Sequence, residues 1–272
     1  MRKSRIKAKL RKNQPALITT LHYTDPSIHE MVSLMGFDGI WLDLEHHAYS
    51  VETAWGLMRA IRVGASDVVA RPAKGEYMRL GRLLEAGAQG ILYPRCDNAQ
   101  EAAEVVRWAK FAPLGTRGID TANPDMPYLS MPLERYLREA NEETFIVIQL
   151  ESREAVDQAE QIAAVPGVDV LFLGPGDFSI LSGIPGQWEH PLIQQATDRI
   201  AQAARAAGKH WGCPAFSRDH ARELLAQGAR FLCHGCDIKM VKTGMELLQQ
   251  EFAELGFTFD NRLAADAGAE GR

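Results

Sequence analysis

Phe145-Ile-Val-Ile-Gln-Leu-Glu151 and Val168-Asp-Val-Leu-Phe-Leu-Gly-Pro-Gly-Asp177 are the two runs whose reading decides the fold. Each is an apolar, strand-like run closed by an acid. Ser152 to Gly167, between them, reads as one helix and its turns. That is a βαβ unit, so the strands lie parallel and adjacent, about 4.8 Å apart. Glu151 and Asp177 then meet at one end of a sheet. At roughly 5 Å and an effective dielectric of about 20 they repel by about 3 kcal/mol. A shared proton or a divalent cation relieves that cost, and oxygen-only donors favour a hard ion such as Mg²⁺ or Mn²⁺.

The same grammar repeats outward from this unit. A helical stretch ends at Gly, a few residues follow, and an apolar run begins. This occurs at Leu34-Met-Gly-Phe-Asp-Gly-Ile-Trp-Leu-Asp43, Glu85-Ala-Gly-Ala-Gln-Gly-Ile-Leu-Tyr93, Val165-Pro-Gly-Val-Asp-Val-Leu-Phe172 and Ala226-Gln-Gly-Ala-Arg-Phe-Leu-Cys233. Gly fits the position just past a helix, where φ is positive. Weaker strands are expected at Ala16–Tyr23, Asp67–Ala73 and His210–Phe216. With Phe145–Glu151 this makes eight strands separated by helices, the pattern of a (β/α)₈ TIM barrel. A doubly wound open sheet is the alternative, but Leu21-His-Tyr-Thr-Asp-Pro26 is not its Gly-rich first turn.

The 272 residues are 46% hydrophobic, enough for one large core. The expected division is a basic N-terminal helix over residues 1–15, a single barrel over 16–260 and a disordered tail over 261–272. Thr116–Arg138 reads as a long loop after strand four, at a functional rim. Net charge is −5, with no basic cluster interleaved with aromatics, so no nucleic-acid partner is expected. No apolar run is long enough to cross a membrane. The N-terminus lacks the apolar core of a signal peptide, and four cysteines make no disulfide framework. A cytoplasmic protein is the expectation. The basic first helix reads as a solvated cover for the barrel floor.

Barrel chemistry sits at the carboxyl ends of the strands. Period-two alternation sends Ile40, Leu42 and Leu44 outward and Trp41, Asp43 and Glu45 inward. In strand five Val147, Gln149 and Glu151 face inward, and Val69 and Arg71 share a face in strand three. One rim therefore collects Asp43, Glu45, His46, Arg71, Gln149, Glu151 and Asp177. Glu151 and Asp177 suit metal ligands. The turn Gly174, Pro175, Gly176 brings backbone close to a ligand and suits a substrate carboxylate. Arg71 offers a permanent charge and a planar fork for a developing enolate oxygen. His46 with Asp43 makes an acid–base pair, provided the chain turns after Glu45. His47, Asp120 and His234 are further candidates, and either His22 or Tyr23 fits the mouth.

Absences narrow the reading. No Lys occurs between Phe111 and Gly208, which removes strands five and six as the source of a Schiff-base lysine. The turns after strands seven and eight lack a Gly-rich phosphate cradle, so a free carboxylate fits better than a phosphorylated substrate. In Cys233-His-Gly-Cys236 the thiols lie three apart on a strand, on opposite faces, and should neither pair nor chelate.

Six motifs in order resemble the HpcH/HpaI aldolase/citrate lyase family of metal-dependent class II pyruvate aldolases. That family includes 2,4-dihydroxyhept-2-enedioate aldolase and 2-dehydro-3-deoxyglucarate aldolase. The motifs are Gly36-Phe-Asp-Gly-Ile-Trp-Leu-Asp-Leu-Glu-His46, Ala70-Arg-Pro72, Gly87-Ala-Gln-Gly-Ile-Leu-Tyr-Pro94, Arg117-Gly118, Gln149-Leu-Glu-Ser-Arg-Glu154 and Phe172-Leu-Gly-Pro-Gly-Asp-Phe-Ser179. The resemblance implies a TIM barrel and a divalent cation (Mg²⁺, Mn²⁺ or Co²⁺) on Glu151 and Asp177. It implies Arg71 at the enolate oxygen and His46–Asp43 as the acid–base dyad. It further implies cleavage of a 4-hydroxy-2-oxo acid to pyruvate and an aldehyde, in aromatic or sugar acid catabolism, by a homohexamer that exchanges its long C-terminal helix. The chain departs from the family at Ile119-Asp120, His47, Cys213-Pro214 and Cys233-His-Gly-Cys236, positions that bear on the aldehyde half. A decarboxylase, an acyl-coenzyme A ester lyase and a non-catalytic carboxylate-binding barrel are the alternatives.

Overall fold

The computed structural model describes residues 1–265. Its elements run α1 (Arg5–Arg11), β1 (Ala16–Thr20), α2 (Pro26–Leu34), β2 (Gly39–Asp43), α3 (Val51–Ile61), β3 (Asp67–Arg71), α4 (Tyr77–Ala86), β4 (Gly90–Tyr93), α5 (Ala99–Ala109), α6 (Leu133–Glu143) and β5 (Phe145–Leu150). They continue with α7 (Arg153–Asp157), α8 (Ala159–Ala163), β6 (Val170–Leu173), α9 (Pro175–Leu181), α10 (Pro191–Ala206), β7 (His210–Pro214), α11 (Arg218–Ala226), β8 (Phe231–Cys236), α12 (Asp237–Ala253) and α13 (Arg262–Ala265). The strands close a barrel in sequence order, every pair parallel, and β1 hydrogen-bonds to β8. The expectation about the tail over residues 261–272 falls mostly outside the described residues.

The alternation read from the sequence is the alternation in space. Ile40, Leu42, Leu44, Ile146, Ile148 and Leu150 lie in the layer between sheet and helices. Trp41, Val69, Val147, Phe172 and Phe231 fill the barrel interior. Phe172 meets Phe231 edge-on at 5.7 Å and Trp41 at 6.1 Å, a favourable aromatic geometry. Gly36 and Gly228 take φ of 88° and 97°, as helix-terminating glycines.

Four local expectations are corrected. Ser152–Gly167 is not one helix: α7 and α8 break at Gln158, which has φ −105°. Strands one, three and seven stop at Thr20, Arg71 and Pro214, short of the expected ends. The first helix is not simply solvated, because it plugs the floor. Ile6 and Leu10 enter the interior cluster, Arg5 and Lys9 pair with Asp38 at 2.7 and 2.6 Å, and Lys7 pairs with Asp169 at 2.6 Å. The segment Thr116–Arg138 follows α5, not strand four directly, and lies at the floor. Arg62, at the end of α3, donates to the Pro124 carbonyl there, and the last residues of the segment are helical in α6.

Among the described residues no helix is long and apolar enough to cross a membrane. The last long helix, α12, leaves Met240, Val241, Met245, Leu247, Leu248 and Phe252 exposed.

Candidate active site

Asp43 and Arg71 are register partners at the ends of β2 and β3. Side chains of paired residues in adjacent strands stand side by side on one face. Arg71 Nε and Nη2 accordingly donate to Asp43 Oδ1 and Oδ2 at 2.9 and 2.6 Å. Nη1 lies 3.2 Å from Glu45 Oε2, and the guanidinium sits 4.7 Å above the Trp41 ring. Burial alone would raise the Asp43 carboxyl, but the hydrogen bonds and charge of Arg71 hold it below its usual value. Burial wins at Glu45, whose carboxyl is pushed up.

Glu151 follows β5 and is almost fully buried. Its Oε1 accepts from Gln149 Nε2 at 2.7 Å and its Oε2 from the Arg95 amide at 2.9 Å. Arg95 presents that amide from a left-handed conformation, φ 49°, which costs a non-glycine residue roughly 1–2 kcal/mol. Burial, and after it the Asp177 charge, push the Glu151 carboxyl up to about 8. Asp177 is not the end of a strand as the sequence suggested; it lies in the first turn of α9, after β6 has ended at Leu173. Gly174 lies between the two acids, where a β-carbon would stand 2.1 Å from Glu151 Oε1. A side chain there would displace the ends of Glu151 and Gln149.

The donor chemistry suits a hard divalent cation. Two carboxylates converge, one of them energetically unwilling to ionise alone, and the Gln149 carbonyl oxygen is buried without a partner among the described residues. The chain does not supply a complete cage: among the described residues no three His, Cys, Asp or Glu side chains cluster as a cation site. Such an ion would need substrate or water oxygens to fill its shell.

The histidines differ from expectation. Asp43 Oδ1 accepts the amides of Glu45 (3.0 Å) and His46 (3.4 Å), so the chain does turn there. That turn swings the His46 imidazole out, to 56% exposure, with Nε2 3.7 Å from Glu45 rather than against the Asp43 carboxylate. His47 is the imidazole near Asp43, with Nε2 4.0 Å from Oδ2. Asp120 is remote from the mouth. Its amide donates to Glu85 at the end of α4, on the floor side. His234 is not a core residue: it is exposed and bonded through Nδ1 to the Ala215 carbonyl at 2.6 Å, just past the end of β7. Cys233 and Cys236 are free thiols.

Two groups had no clear signal in the sequence, and a third, His22, is fixed here after being one of two options for the mouth. The Arg95 contribution is backbone and carries no side-chain signature. Asp237 is buried and accepts the amides of His22 and Tyr23 at 2.9–3.0 Å, which orders the β1 exit. His22 packs against His47 in a tilted arrangement with ring centroids 4.3 Å apart. A cavity of about 610 Å³ between α10 and α11 shares only Pro175 with the candidate residues.

The chain has relatives among known proteins. The chain is 30% identical over 240 residues to 2-keto-3-deoxy-L-rhamnonate aldolase of Escherichia coli strain K12, covering 88% of this chain and 90% of that one. It is 32% identical over 250 residues to 4-hydroxy-2-oxo-heptane-1,7-dioate aldolase of Salmonella arizonae, covering 92% and 95%. The crystal structure of an HpcH/HpaI aldolase from Desulfitobacterium hafniense superposes with a TM-score of 0.86 at 29% identity, over 91% of this chain and 96% of that one. The HpcH/HpaI aldolase/citrate lyase model matches residues 21–243, and the chain belongs to that family.

Proposed function

We propose that this protein is a class II aldolase that reversibly cleaves a 4-hydroxy-2-oxo acid to pyruvate, or a close 2-oxo acid, and an aldehyde. The observation that carries the reading is the buried Glu151 carboxyl, held by the Gln149 amide and the Arg95 N–H with a second acid, Asp177, beside it. Such a pair calls for positive charge. Glu151 and Asp177 hold the cofactor, Mg²⁺, Mn²⁺ or Co²⁺. When bound, that ion supplies Lewis-acid polarisation of the keto acid's carbonyl and carboxylate oxygens.

The chain's own residues do the rest. Gln149 fixes the Glu151 carboxylate, and Gly174, Pro175 and Gly176 leave room for the substrate carboxylate against the first turn of α9. Asp43 and Glu45 lock Arg71 in one orientation, so its charge is already aimed when the C3–C4 bond breaks and negative charge develops on the enolate oxygen. His46 takes the 4-hydroxyl proton. Glu45 lies nearest its imidazole, and Asp43 acts through the turn that presents it. The exposed apolar face of α12 supports a homo-oligomer, a hexamer by family, in which that helix is exchanged between subunits.

Treatment with EDTA is expected to abolish pyruvate release, and Mn²⁺, Co²⁺ or Mg²⁺ to restore it. Full activity after exhaustive chelation would refute the reading.

A further inference from the structure

Beside the Asp43–Arg71 clamp an open cleft of about 580 Å³ is lined by His22, Thr24, His47, Tyr49, Ser50 and Thr53, among others. Its inner wall is a short cluster of three rings. His22 meets His47 at 4.3 Å, and Tyr49 lies nearly parallel to His47, 15° between planes at 6.4 Å. His47 Nε2 is 4.0 Å from Asp43 Oδ2, so the cleft opens directly off the residues that hold Arg71. The Tyr49 hydroxyl is buried and has no hydrogen-bond partner among the described residues.

We propose that this cleft receives the aldehyde half of the substrate and selects a short polyhydroxylated aldehyde over a carboxylate-tailed or plain aliphatic one. The inference rests on the aldolase reading above and names its second substrate. The lining offers hydroxyls and imidazoles, which both donate and accept, with ring faces for the C–H side of a carbon chain. It contains no lysine or arginine. Arg71 is committed to Asp43 and Glu45. Acids stand behind both imidazoles: Asp43 behind His47, and Asp237 with Oδ1 3.3 Å from His22 Nδ1. A terminal carboxylate would meet negative charge and no free cation. An alkyl chain would leave the hydroxyl lining without partners, and polar groups stripped of water in that way are costly. Burial, and next the neighbouring His22, depress the His47 pKa, which favours the neutral ring that both gives and takes a hydrogen bond.

The test is aldol addition to pyruvate with Mg²⁺, comparing glyceraldehyde, succinic semialdehyde and butanal as acceptors. Wild type is expected to show kcat/KM for glyceraldehyde at least about tenfold above either competitor, well below the discrimination of a fully enclosed hydrogen-bonding site because this cleft is open to water. His47→Ala should collapse that ratio towards one through KM, while His47→Gln, which can still donate and accept, should keep part of it. A wild-type preference for the semialdehyde or butanal would overturn the inference, as would an unchanged ratio in His47→Ala. Exchange of the pyruvate methyl protons with deuterated solvent, run on wild type without aldehyde, separates the two claims. Exchange without hydroxyaldehyde preference defeats the cleft alone. No exchange defeats the aldolase reading, and the cleft assignment with it.

Discussion

The two ends of this barrel are both rich in acids and treat them in opposite ways. At the floor, Asp38 accepts from Arg5, Lys9 and the Leu17 amide, and Asp169 from Lys7 and the Ile146 amide. Asp67 accepts from Ser4 Oγ and the amides of Arg5 and Ile6. Each of these three acids meets α1 or the residue that caps it. At the mouth, Arg71 answers Asp43 and Glu45, while Glu151 has only neutral donors and a second acid beside it. The floor uses its charges to fix a plug. The mouth leaves a deficit of positive charge for something else to fill. Asp67 also has only neutral donors and is pushed up, to about 6, by burial, so what sets the mouth apart is the second acid beside Glu151.

Three experiments would break or sharpen that contrast. The largest effect is expected at Arg71, the mouth's own cation. Arg71→Ala should lower kcat/KM for aldol cleavage about a thousandfold, the scale of a lost transition-state donor, and Arg71→Lys should recover little because a point charge cannot hold Asp43 and Glu45 together. A near-wild-type rate in steady-state assays would remove Arg71 from the chemistry.

Next is Glu151→Gln in chelator-treated protein. The folded carboxyl sits at about 8 against an ordinary 4.5, so the native state holds a proton that the unfolded chain releases. Stability from this group therefore falls as pH rises from 4.5 to about 8. The variant should lose that slope and melt about 5 °C above wild type at high pH, with the advantage vanishing at the acid end of the window. Saturating Mg²⁺ should raise the wild-type Tm and leave the variant unmoved. Calorimetry showing a less stable variant at high pH would mean the deficit does not exist.

The smallest effect belongs to the floor. Asp38→Ala removes an acceptor from two half-exposed cations and one amide, and should cost about 2 kcal/mol, lowering Tm by about 5 °C with kcat unchanged within twofold. A large loss of kcat would show that the two ends are not independent.

The strands were legible because a period of two is a local signal. Asp43, Arg71, Gln149 and Glu151 could be put on one face from residue spacing alone, and the register of β2 against β3 then sets the clamp. What escaped was information carried by distance along the chain or by backbone. Nothing near Arg5 or Lys7 announces Asp38 or Asp169, and no side chain marks the Arg95 amide. Thr116–Arg138 looked like a rim loop because irregular sequence does not say which end of a barrel it joins. His46 and His47 are adjacent, so deciding which one faces Asp43 needed the turn angles that the Asp43 carboxylate itself imposes.

Closure of the barrel between β1 and β8 has a consequence for synthesis. The first strand ends at Thr20 and its partner is not finished until Cys236. At about 5–20 residues per second, the ribosome leaves one edge of β1 without its partner for on the order of 10–40 s. Arg5 and Lys9 meet Asp38 soon after β1 emerges, whereas Lys7 has no acid until Asp169 follows, and a charge left beside an open strand edge disfavours its pairing with another nascent chain.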